Sequence, residues 1–123
     1  MDEGIYNLII KLDRPKKISV GKLGLLNFLP GYYVYTGRAK RNLQARLRRH
    51  KSRKKKLHWH IDYLLKFGRV IHIKVYPFRE DRECSINQKI LQRRDAVQLF
   101  RKFGSSDCSC YSHLVYFEED PAI

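Results

Sequence analysis

Tyr6, Tyr35, Arg46, His50 and Glu83 are side chains of the kinds that hydrolysis of a phosphodiester requires. That reaction needs a positioned nucleophile, a cation close to the phosphate oxygens and a carboxylate that holds a hard metal ion. The two tyrosines stand in short strings, Gly4-Ile5-Tyr6 and Tyr35-Thr36-Gly37. A phenol has a pKa of about 10, so it serves as a base at neutral pH only with help from a metal or another cation. Taken alone, both read better as ordinary strand aromatics. Gly37, read as ending a strand ahead of a basic helix, lets the backbone approach a phosphate closely. Arg46 directly precedes the apolar Leu47 and lies four residues before His50, which puts its guanidinium at the edge of the core. A fork of donors fixed there suits two oxygens of one phosphate. His50 shares a helix side with Leu43 and Leu47, a position that also suits a hydrogen-bonded core histidine. Glu83, three and seven residues before Ile86 and Ile90, faces inward on its helix. An inward carboxylate is costly unless it is paired or coordinates a metal. Mg²⁺ or Mn²⁺ fits, because such an ion keeps several waters and needs one or two carboxylates. The helix dipole alone also favours glutamate in a first turn, and Glu80 and Asp81 are nearby rivals.

Charge points to the ligand. The 123 residues carry 26 Lys+Arg against 12 Asp+Glu, a net charge of +14. Five of the acids, Asp2, Glu3, Glu118, Glu119 and Asp120, sit near the ends. Between Arg38 and Lys56 stand Arg38, Lys40, Arg41, Arg46, Arg48, Arg49, Lys51, Arg53, Lys54, Lys55 and Lys56, with no acid among them. Such a segment attracts a phosphate backbone in a salt-dependent way, so the expected partner is DNA, or RNA. A basic thermophile surface is the duller explanation, but those interleave both signs.

A second metal set lies later. Cys108-x-Cys110-x-x-His113 offers soft ligands at close spacing, and Cys84 completes a tetrahedral Zn²⁺ site. The spacing is not a common zinc pattern, and buried cysteines are ordinary core residues. Three cysteines without an export signal argue against a disulfide framework.

These residues need elements to hold them. Ile5 to Leu12 reads as a strand and Asp13-Arg14-Pro15 as a turn. Ile18 to Val20 and Leu23 to Phe28, joined by Gly21-Lys22, predict a hairpin, and Tyr32 to Thr36 a strong strand. From Asn42 the period becomes helical, and a second helix is expected over His58 to Lys66. Val70 to Val75 follows as a strand, then a long helix from about Arg82 to Phe100 with Ile86, Ile90, Val97 and Phe100 inward, then a strand over His113 to Phe117. This order predicts one α+β domain over residues 1–123, a small mainly antiparallel sheet flanked by helices. No apolar run approaches the ~18 residues of a membrane span, nor is there a basic-then-apolar leader, which predicts a cytoplasmic protein with no membrane partner.

Gly4-Ile5-Tyr6 and Tyr35-Thr36-Gly37, followed by Asn42-Leu43-x-x-Arg46-Leu47-x-x-His50, together resemble the GIY-YIG nuclease superfamily. Its members hydrolyse DNA phosphodiesters with one divalent metal ion. The resemblance runs over roughly Gly4 to Phe100 in the order of elements. It implies that Tyr6 and Tyr35 line the scissile phosphate, with Tyr6 as general base or water-positioning group. It also implies that Arg46 clamps the phosphate, that His50 joins the catalytic set and that Glu83, on the third helix, holds the metal. The chain departs from the pattern at Thr36, where isoleucine is usual, and in a longer stretch between Tyr6 and Tyr35 that implies an inserted hairpin. The superfamily's late asparagine has no evident match, and a substitute polar group is expected within Phe103-Gly104-Ser105-Ser106-Asp107. The insertion, His58-Trp59-His60-Ile61-Asp62 and Gly104-Ser105-Ser106-Asp107-Cys108 also resemble an uncharacterised branch of the superfamily, found alone or fused to an endonuclease III-type DNA glycosylase. The implied function is a metal-dependent endonuclease in DNA repair, with a repair glycosylase as a partner. The alternatives are a catalytically silent nucleic-acid-binding module and a zinc-stabilised repair adaptor.

Overall fold

β-Branched and leucine side chains dominate Gly4–Leu12, and this run forms the first strand, β1. In the computed structural model, residues 2–52, 54–76, 83–105 and 110–123 are described. Two short strands, β2 (Lys16–Ser19) and β3 (Leu25–Phe28), pair with each other as a separate hairpin. A single 3₁₀ turn at Gly21–Leu23 connects them, so the second hairpin strand starts later than Leu23. The chain then enters β4 (Gly31–Ala39), helix α1 (Leu43–Lys51), helix α2 (His60–Leu65) and β5 (Arg69–Tyr76). Helix α3 (Glu83–Leu91) and β6 (Leu114–Phe117) complete the described elements.

The main sheet has the order β5-β1-β4-β6, and its three pairings are antiparallel. The expected α+β class, with a mainly antiparallel sheet flanked by helices, is the observed one. The expected hairpin between β1 and β4 is present too.

The sheet is covered on both faces. Tyr6, Leu8, Ile10 and Leu12 point into one cluster with Leu43 and Leu47 of α1 and Ile61, Leu64 and Leu65 of α2. Ile9 points the other way, to Val34, Val115, Phe117 and Ile90 of α3. A strand buried on both sides needs no apolar–polar alternation, which is why β1 reads as an almost continuous hydrophobic run. The polar exception is satisfied: Asn7 Nδ2 donates to Thr36 Oγ1 at 2.9 Å, and Tyr76 donates its hydroxyl proton to Asn7 Oδ1 at 2.5 Å. Thr36 and Tyr76 together satisfy the buried Asn7 amide.

Three expectations need correction. Strand β4 runs through Gly37 to Ala39, so Gly37 lies inside a strand, opposite Tyr6, and not after its end. Helix α2 is shorter than His58 to Lys66 and starts after Trp59. The long third helix ends at Leu91, far short of Phe100. Asp95 takes a left-handed conformation (φ 67°), which breaks the helical path. Val97 then bonds to Tyr116 as an extra rung on β6, and Phe100 packs on Phe28 at 4.6 Å between ring centres. The expected start of that helix at Arg82 lies outside the described residues.

Candidate active-site cleft

Antiparallel pairing sets Tyr6 of β1 diagonally from Tyr35 of β4, with ring centres 6.5 Å apart. Glycine makes room for each ring. A Cβ on Gly37 would come within 2.5 Å of the Tyr6 ring and hydroxyl, and one on Gly104 within 2.8 Å of the Tyr35 ring. Gly104 also takes φ 69°, which favours glycine again. Gly37 therefore serves the phenol more directly than it serves a phosphate.

Behind Tyr6 lies His50. The Tyr6 hydroxyl and His50 Nε2 are 2.7 Å apart, and His50 is only 2% exposed on the sheet-facing side of α1. Burial lowers the imidazole to about 4; Asp62 opposes the shift, and Lys55, Arg49 and Arg46 reinforce it. His50 is therefore neutral at physiological pH. Burial likewise pushes Tyr6 well above the usual phenol range, with Arg46 partly opposing. Tyr35 shifts the same way, first through burial, with the neighbouring Tyr6 and the carboxylates of Glu83 and Asp62 adding to it.

Arg46 donates from Nη1 to the Arg38 carbonyl and lies over the Trp59 ring, 4.7 Å from its centre. The guanidinium is thus held by a backbone oxygen and an aromatic face, at the edge of the core as its position in the helix predicts. Trp59 carries a second cation on its surface: Arg49 lies 4.6 Å from the ring centre.

Arg49 departs from the expected phosphate-binding role. Its Nη1 and Nη2 donate to Asp62 Oδ1 and Oδ2 at 2.8 and 2.9 Å, and Asp62 is fully buried. Burial alone would raise the Asp62 carboxyl, but the Arg49 fork and the Trp59 and His58 N–H donors outweigh it and hold it below the usual range. Lys55 is also turned inward, its Nζ donating to the Arg49, His50 and Ser52 carbonyls at the end of α1. Arg48, Lys51, Lys54 and Lys56 are exposed, while Arg53 lies outside the described residues.

Tyr6, Tyr35, Arg46 and Glu83 line one cleft of about 550 Å³. Arg38, Lys40 and Arg41 at the end of β4, Trp59, Gly104, Ser105 and His113 complete its walls. His50 stands behind the wall, hydrogen-bonded to Tyr6 and in ring contact with Tyr35 and Trp59. Among the described lining residues Glu83 is the one carboxylate, and Glu80 and Asp81 lie outside the described residues. Glu83 Oε2 is 3.7 Å from Nδ1 of the buried His113, whose imidazole burial keeps below its ordinary pKa. Of the segment expected to replace the late asparagine, Gly104 and Ser105 are on the cleft; Ser106 and Asp107 lie outside the described residues.

A family model for DUF123, a domain of unknown function, matches residues 5–123. The chain belongs to this family. No curated protein and no solved structure matches it. The matched residues include every described residue that lines the cleft.

Sequence reasoning missed Trp59 as the stacking platform and Asp62 as its anchor. Both had a signal. Trp59 is the only tryptophan, and Asp62 is the only acid between Asp13 and Glu80. A lone acid in so basic a stretch has its partners chosen for it.

Proposed function

We propose that this DUF123 domain is a GIY-YIG-type endonuclease that hydrolyses DNA phosphodiesters with a divalent ion, in a repair context. The observation that carries this reading is the shared cleft: two phenols, a stacked arginine and one carboxylate converge beneath a basic rim. Arg46 contributes the phosphate clamp. One of its nitrogens is held by Arg38, and the planar fork keeps further donors for phosphate oxygens. Arg38, Lys40 and Arg41 draw the strand toward it.

Both phenols stay protonated at neutral pH, which favours a positioning role for Tyr6 over that of a base. With His50 Nε2 accepting the Tyr6 proton in a hydrogen bond, the phenol oxygen is left to accept from Arg46 and from a water. That tautomer puts a proton on His50 Nδ1, which is buried and has no partner among the described residues. The arrangement costs about 1–3 kcal/mol. Glu83 fits Mg²⁺ or Mn²⁺, since such ions accept a single carboxylate with water in the remaining positions. When bound, the ion supplies positive charge at the phosphate and acidifies water.

The test is cleavage of labelled duplex, branched and damaged DNA, with RNA in parallel, in Mg²⁺ or Mn²⁺. Glu83→Gln should lower cleavage by on the order of 10²-fold or more, because a metal ion contributes several kcal/mol to the transition state. Its DNA affinity should hold or rise, since a negative charge leaves the cleft. Arg46→Ala should lose cleavage and bind slightly more weakly. Opposite signs on binding separate these roles from unfolding. Absence of cleavage by the parent on every substrate would replace the nuclease with a nucleic-acid-binding module.

A further inference from the structure

The nuclease reading leaves one cluster unused. Cys84 in the first turn of α3, Cys110 and His113 ahead of β6 come from separate parts of the chain, yet their ligand atoms all lie within 4.8 Å of one another. Cys110 and His113 are buried and Cys84 is half-buried, and both cysteines are thiols. We infer that Cys84, Cys110 and His113 bind one Zn²⁺ ion, with Glu83 orienting His113 from the other side of its ring. Its three ligands are none of the residues proposed to hold the hard ion, although Glu83 neighbours both positions.

Ligand chemistry selects the ion. Two sulfurs and an imidazole are soft and borderline donors, unsuited to Mg²⁺ and well suited to Zn²⁺. Geometry agrees. Zn–S of about 2.3 Å and Zn–N of about 2.0 Å in a tetrahedron place ligand atoms about 3.5 Å apart. Cys84 Sγ and His113 Nε2 are already 3.3 Å apart, and the remaining separations, up to 4.8 Å, close by about 1.3 Å at most. The two ring nitrogens of His113 have different neighbours: Nε2 faces Cys84 Sγ, whereas Nδ1 faces Glu83 Oε2 at 3.7 Å. A metal-bound histidine whose second nitrogen points to a carboxylate is the usual outer-shell arrangement, because it fixes the tautomer and the ring. Three protein ligands leave a fourth position for water or another side chain. Cys108, expected as a ligand from its spacing, lies outside the described residues and is not part of the assignment.

The consequence is positional. An ion here ties the first turn of α3 to the segment before β6, next to the residue proposed to hold the hard metal. A thiol pair that oxidises instead, or a plain buried cluster, is the competing outcome.

The experiment uses the full chain, reduced with a non-thiol reductant and freed of metal, titrated with Co²⁺ and then Zn²⁺. Co²⁺ should bind at one equivalent with thiolate charge-transfer absorption, and Zn²⁺ should bleach that band. The band should weaken in Cys84→Ser and in Cys110→Ser. If the serine variants fail to fold, alkylation of the parent decides: Zn²⁺ should slow modification of Cys84 and Cys110. Absence of both the band and the protection in folded parent overturns the site, as does full retention of the band in both serine variants. None of these readouts depends on cleavage, so the site and the nuclease activity fail separately.

Discussion

At the residue scale, His50 makes the sharpest demand on pH. Its imidazole ordinarily titrates near 6.5 and is held at about 4 in the folded chain. As pH falls through that window the unfolded state takes up the proton first, so stability is complete above about 6.5 and declines toward 4. The gap is worth about 3 kcal/mol. Urea midpoints measured from pH 7 to 4 should fall, and His50→Gln should flatten part of that fall. A second residue test concerns the glycine opposite Tyr6. Gly37→Ala introduces a Cβ 2.5 Å from the phenol, with β1 and β4 fixed by their pairing. Overpacking of this kind costs about 1–3 kcal/mol, and the displaced phenol should lose contact with His50. Thermal unfolding together with the cleavage assay checks both parts. That Tyr6, Tyr35, Arg46 and Glu83 share one cleft is legible in part, the first three from short strings of fixed spacing and Glu83 from its helical relation to Ile86 and Ile90. What Gly37 does is not, because strand β4 continues four residues beyond Tyr35, its last aromatic, where only pairing with β1 extends it.

At the element scale, α1 and α2 are joined by the Arg49–Asp62 pair beneath Trp59. Asp62 is fully buried and Arg49 only partly exposed, so Arg49→Leu strands a carboxylate with two backbone donors. The loss should be about 2–4 kcal/mol in chemical denaturation. Since the Asp62 carboxyl is held below its unfolded pKa, its contribution is present above about pH 4 and disappears below it. Asp62→Asn should therefore flatten the acid limb that His50→Gln leaves intact. Helix periodicity places the start of α1 and its inward side, since Leu43, Leu47 and His50 are all buried. It overran α3, because an apolar Val97 and Phe100 at helical spacing cannot reveal that one joins a sheet edge and the other an aromatic cluster. Those partners are distant in sequence. Local pattern carries no information about them.

At the scale of the whole molecule, a net charge of +14 overstates what a polymer meets. Arg49 and Lys55 are committed internally, while Arg38, Lys40, Arg41 and Arg46 line the cleft. Four phosphate contacts predict that log K for a long duplex falls against log salt with a slope of about −4. A slope near zero removes the backbone-binding argument. Among the described residues no helix is long and apolar enough to cross a membrane. One further feature concerns how the molecule is assembled in time. Helix α1 starts at Asn42, which is left-handed (φ 56°) and offers no side-chain cap. Instead the Asp2 carboxylate accepts from the Gln44 N–H at 3.1 Å, and the Asp2 carbonyl accepts from the Leu43 N–H. A cap borrowed from 42 positions away exists only once β1 has found β4. The helix that carries Arg46 should then consolidate late, after loop closure has already been paid in entropy. Asp2→Ala should cost about 1 kcal/mol and appear almost wholly as faster unfolding, with the refolding arm of the chevron unmoved.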